Sequence, residues 1–126
     1  MIRFNNDYNR SAHPAVLEAL MKSSGESYGG YGLDFWCEKA AEEIGKYIGT
    51  AEADIHFLVG GTQANFTVIT AALRSYQSVI SADTGHIQGH ETGAVENTGH
   101  KIIALPSADG KITAAQVREQ AELYLD

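Results

Sequence analysis

The chain has 126 residues, 44% of them hydrophobic, which suffices for one domain, or part of one, with a buried core. Sixteen acidic against nine basic residues give a formal charge of −7 and a pI near 5.1, and no basic block could follow a phosphate backbone. No apolar run approaches the roughly 20 residues that cross a bilayer, and the single Cys37 cannot form an internal disulfide. The expected protein is soluble and cytoplasmic, with neither nucleic acid nor membrane as a partner.

In chain order, Pro14 to Lys22 reads as a short helix whose Val16, Leu17, Leu20 and Met21 share one face. Ser23 to Gly32 is a loop of four glycines and two tyrosines. Asp34 to Ile48 has helical periodicity, with Asp34 placed to cap the first turn and an end near Gly49. Asp54 to Val59 is rich in β-formers and predicts a strand, followed by a glycine turn and a helix from Gln63 to Leu73. Two further strands are expected at Ser78 to Ala82 and Lys101 to Leu105, with some helical character between them from Gln88 to Glu96. Thr113 to Leu125 completes the series as an amphipathic helix with Thr113 as N-cap and Val117, Ala121 and Leu125 on one side.

Strands alternating with helices imply an α/β fold with a parallel sheet, divided as a helical segment and loop over 1–50 and the first βαβ units over 51–126. Leu58, Ile80 and Ile103 are expected on strands buried on both faces. Parallel strands need crossovers and further strands to cover their edges, so the sheet reads as incomplete.

Two segments carry chemistry. In Gly60-Gly61-Thr62-Gln63-Ala64-Asn65, glycines permit close approach of a ligand to the free N–H groups and positive end of the following helix, an arrangement that suits phosphate. The plainer reading is a strand-to-helix turn with Thr62 as N-cap. The run has no Gly-Lys-Ser/Thr ending and no third glycine at dinucleotide spacing. The segment Thr84 to Ala94 holds His86, His90 and Glu91 and falls at the C-terminal end of an expected strand, where open parallel sheets bind ligands. A stacking imidazole, a metal set from His86, His90 and Glu91, and ordinary polar loop residues all remain open readings.

Taken together, Asn6-Asp7, Tyr31-Gly32-x-Asp34, Gly60-Gly61-Thr62-Gln63-Ala64-Asn65 and His86 followed by Glu91 and Gly93 resemble the low-specificity threonine aldolases and their aromatic amino acid β-eliminating relatives, over nearly the whole chain. The resemblance implies the large domain of the fold-type I, aminotransferase-like fold, with pyridoxal phosphate as cofactor and homo-oligomers as the working form. It makes Gly61, Thr62 and Gln63 the phosphate segment, His86 the ring-stacking residue and Glu91 an acidic catalytic neighbour. Asn6 and Tyr31 fall at substrate-binding positions, and the loop with Tyr28 and Tyr31 at a subunit boundary. The implied substrate is a small amino acid: a β-hydroxy-α-amino acid such as threonine, cleaved to glycine and acetaldehyde, or one that loses a β-substituent.

Departures accompany the match. Asn6 stands where the family usually has serine, Leu33-Asp34-Phe35 follows Tyr31-Gly32 where Asp-Asp-Pro is common, and Gly60 often has a different counterpart. The resemblance further implies that the ring-nitrogen aspartate and the Schiff-base lysine belong to a C-terminal part beyond residue 126, so the chain is expected to be an N-terminal portion, inactive alone. A non-catalytic phosphate- or nucleotide-binding α/β module is the alternative.

Overall fold

The computed structural model describes residues 6, 8, 10–50 and 52–124. It comprises two units, Met1–Phe57 and Leu58–Asp126. In the first, α1 spans Pro14–Ser23 and α2 spans Phe35–Ile48. Pro14 starts α1 where its missing N–H costs nothing, and the helix exposes Val16, Leu17, Leu20 and Met21. Asp34 caps α2 by accepting from the amides of Trp36 and Cys37, and Gly49 ends it at φ 77°, a left-handed conformation that glycine enters freely. Between the helices, Tyr31 (φ 64°) and Gly32 (φ 76°) form a turn closed by Leu33 N–H donating to Gly30 O. Two consecutive positive φ values are the pattern of a type I′ turn.

The second unit contains α3 (Gly61–Ala72), β1 (Val79–Ala82), α4 (His86–Gly89), a 3₁₀ turn (Glu96–Thr98), β2 (Ile102–Leu105) and α5 (Ala114–Glu122). β1 and β2 pair in parallel, with Val79 opposite Ile102 and Ala82 opposite Leu105. Ala82, Val95, Ile102 and Leu105 form the apolar core, and Val95 is fully enclosed. The buried His100 joins the entrances of the two strands through Nδ1 and Gln77 O at 3.1 Å. Thr113 caps α5 in a reciprocal capping box with Gln116, whose Nε2 also donates to Pro106 O.

Several sequence expectations need correction. Residues 53–58 carry no regular structure, so the strand expected at Asp54 to Val59 is not formed among the described residues, and Leu58 is 41% exposed. A strand exists only when its backbone groups find a ladder partner, and the composition of β-formers does not supply one. Ile80 and Ile103 are half-buried rather than enclosed on both faces, and they line an open hollow of about 420 Å³ with Leu73, Tyr76 and Tyr124. The helical stretch expected over Gln88 to Glu96 divides into α4 and the 3₁₀ turn, because Thr92 (φ 54°) and Gly93 (φ 75°) reverse the chain between them. Leu125 lies outside the described residues.

Candidate functional site: a helix terminus joined to a fixed histidine

α3 begins on Gly60, whose extended backbone (φ −179°) leads into the helix without a side-chain cap. The first intrahelical bond runs from Ala64 N–H to Gly60 O, which leaves the amides of Gly61, Thr62 and Gln63 pointing out of the helix end without intrahelical acceptors. Thr62 is therefore a first-turn residue and not the N-cap of the plainer sequence reading. Gln63 turns back, and its Oε1 accepts from Val59 N–H at 2.9 Å, fixing the approach to the helix. Its side chain is thus occupied, while its amide stays with the open turn. A Cβ on Gly60 or Gly61 would meet nothing within 4 Å, and neither backbone sits at positive φ. Packing does not explain these glycines, and the space over them is free for a ligand.

The histidine arises at the other end of the same unit. Asp83 extends the ladder by donating its amide to Leu105 O, and its Oδ1 accepts from Ser107 N–H, so the C-terminal ends of β1 and β2 are tied together. The chain then turns at Gly85, whose amide donates to Ala82 O; a Cβ there would lie 2.0 Å from Ser81 Oγ and 2.9 Å from Ala82 O. This tight turn delivers His86 at the sheet's C-terminal edge. The His86 side chain is 66% exposed, yet its Nδ1 lies 2.8 Å from Oε1 of the fully buried Glu91. The Thr92-Gly93 turn follows at once, closed by Ala94 N–H donating to Glu91 O, and fixes the chain beyond Glu91.

Asn65 joins the two halves. From α3 its Nδ2 donates to Glu91 Oε1 at 2.5 Å, across 26 residues of sequence. α3 and the exposed imidazole are therefore joined through Glu91 Oε1. Glu91 Oε2 is buried without a hydrogen-bond partner among the described residues, where the carboxylate makes both of its contacts through Oε1. Sequence reasoning placed Asn65 in the motif without a role. The available signal was an asparagine inside a helix, where its competition with backbone hydrogen bonds makes it a poor helix former without some other use.

Among the described residues no group of three or more His, Cys, Asp and Glu is placed to hold a metal ion, and the His86 and His90 rings sit 5.5 Å apart, tilted by 39°. Asn6 and Tyr31 belong to the first unit. Asn6 Oδ1 accepts from Tyr8 N–H, and Tyr31 is fully exposed on its turn. In the same unit a hydrogen bond to Glu26 holds the Tyr28 hydroxyl above its ordinary pKa. A hollow of about 570 Å³ lined by Glu38, Ala41, Gly45, Thr50 and Ile55, among others, contains none of the sequence-predicted site residues.

A helix terminus with free amides and a held imidazole beside the C-terminal ends of parallel strands is the kind of arrangement at which open α/β folds bind ligands. The sequence pattern of the beta-eliminating lyases matches residues 11–123, and the chain belongs to that family. It is 32% identical to a low-specificity L-threonine aldolase of a Pseudomonas strain over 94% of its length, and 29% identical to one from Pseudomonas aeruginosa. A selenocysteine lyase from Bos taurus is 29% identical over 79% of the chain. Its fold superposes on a solved Leishmania major threonine aldolase with a TM-score of 0.91 and 40% identity over 96% of the chain, which identifies the α/β architecture as part of the fold-type I fold. The chain spans about 35% of the length of these threonine aldolases. Enzymes of this family and fold depend on pyridoxal phosphate.

Proposed function

We propose that the chain is the N-terminal portion of a pyridoxal-phosphate-dependent lyase, and that its second unit begins the cofactor-binding domain. The cofactor's phosphate sits at the N-terminus of α3, on the amides of Gly61, Thr62 and Gln63 with the Thr62 hydroxyl, and the His86 ring stacks on the pyridine. The residues fit the group: an uncapped helix end attracts an anion, the space over Gly60 and Gly61 is open, and His86 offers an exposed flat face held at one nitrogen. The observation that supports the reading is the hydrogen-bonded chain from Asn65 through Glu91 to His86, which links α3 to the imidazole.

When bound, the cofactor supplies an electron sink for the bond that breaks. This chain's residues bind and orient it; Glu91 holds the His86 ring in place from below the surface. The substrate is a small β-hydroxy-α-amino acid, for which Asn6 and Tyr31 are the candidate binding residues, and the reaction converts threonine to glycine and acetaldehyde or removes a β-substituent. The threonine aldolases among its relatives support the first form. The working protein is a homo-oligomer completed by the C-terminal part of the same enzyme. A lone cysteine fits a reducing, cytoplasmic setting; among the described residues no helix is long and apolar enough to cross a membrane.

The test is to incubate the intact protein with pyridoxal phosphate and threonine. Glycine and acetaldehyde should appear in equal amounts. If neither forms, and no β-substituted amino acid is eliminated either, the lyase reading fails.

A further inference from the structure

The phosphate-and-stacking reading uses α3 and His86 but assigns nothing to Asn65. Its amide nitrogen cannot be exchanged for its oxygen, because the oxygen would then face a carboxylate oxygen; Nδ2 must be the atom that donates to Glu91 Oε1. The same Oε1 lies 2.8 Å from His86 Nδ1, and as an acceptor it requires a proton on that nitrogen. The Glu91 side chain is wholly buried and cannot swing into solvent to find another partner, while the His86 side chain is two-thirds exposed and makes no other hydrogen bond among the described residues. Asn65 thus clamps the acceptor that clamps the ring.

We infer that Asn65 is a positioning residue that acts through Glu91 to hold His86 in the Nδ1–H tautomer, leaving Nε2 as the nitrogen open to a ligand. Free neutral histidine favours the opposite tautomer, with its proton on Nε2, so the Nδ1–H form reports a specific acceptor and not mere folding. The consequence for the cofactor rests on the function proposed above; the tautomer itself does not. With the ring held at one nitrogen, its orientation is fixed, and loss of Asn65 frees both Glu91 and the ring.

Long-range ¹H–¹⁵N NMR of the intact, cofactor-free protein, labelled at histidine and recorded at about pH 8.5, above the ordinary histidine value, reads the tautomer directly. His86 is assigned by the signal lost in His86→Gln. The wild type should show His86 as Nδ1–H. Asn65→Ala should convert it to a mixture dominated by Nε2–H and weaken pyridoxal phosphate binding by roughly three- to tenfold, as expected when a stacked aromatic ring loses its fixed orientation. Glu91→Gln, whose Oε1 can still accept from both neighbours, should keep Nδ1–H, whereas Glu91→Ala should lose it. An Nε2–H histidine in the wild type, or an unchanged His86 signal in Asn65→Ala, overturns the inference. If the wild type shows Nδ1–H but binds no pyridoxal phosphate, the tautomer lock stands and the proposed function falls.

Discussion

At the scale of single residues the site is governed by close approach and local strain. Gly85 is glycine because a Cβ would lie 2.9 Å from the Ala82 carbonyl, a backbone atom that cannot rotate away. Gly85→Ala should therefore destabilise the intact protein by roughly 1–3 kcal/mol, as overpacking does, and shift His86 with it; an unchanged urea midpoint would contradict this. Thr92 is the reverse case. A β-branched residue at φ 54° is strained, and glycine or asparagine enters that region more easily. Thr92→Asn should raise stability by about 1 kcal/mol in the same urea experiment, and a lower midpoint would mean that Thr92 makes a compensating contact. Neither position was distinctive in the sequence, because the clash and the dihedral depend on neighbours already folded around them.

At the scale of elements, legibility in the sequence followed the distance between partners. Asp34 and Thr113 could be read as caps because the amides they satisfy lie two or three residues ahead. That Asp54 to Val59 forms no strand could not be read, because a ladder needs a partner from elsewhere, nor could the link between Asn65 and Glu91, which spans 26 residues. The cap on α2 also has a pH signature. The hydrogen bond with Cys37, first through its side chain and then its amide, holds the Asp34 carboxyl below the ordinary aspartate value. The folded value is depressed, so the cap's contribution is present above the unfolded aspartate pKa and is lost as pH falls through the folded one. Carbon-detected NMR titration should find Asp34 titrating below ordinary aspartates, and hydrogen exchange at Trp36 and Cys37 should quicken in Asp34→Ala but much less in Asp34→Asn. An Asp34 titrating at the ordinary value would remove the cap from the account.

At the scale of the whole molecule, the family and the α/β architecture were legible from four short motifs, and the parallel pairing of β1 and β2 bears out the expected sheet. What the motifs could not convey is how the phosphate segment and the histidine are joined, since Asn65 had no role until Glu91 stood beside it. Exposed Tyr31, Leu33, Phe35 and Trp36 in the first unit favour self-association, and sedimentation of the intact protein should show a homo-oligomer; a monomer at micromolar concentration would oppose that expectation. The central claim is that the free end of α3 holds the cofactor's phosphate. Spectrophotometric titration of the intact protein with pyridoxal phosphate, wild type against Thr62→Ala, tests it most directly. The account predicts saturable binding that the substitution weakens by about 5- to 30-fold, equivalent to 1–2 kcal/mol; identical dissociation constants for the two proteins would place the phosphate elsewhere.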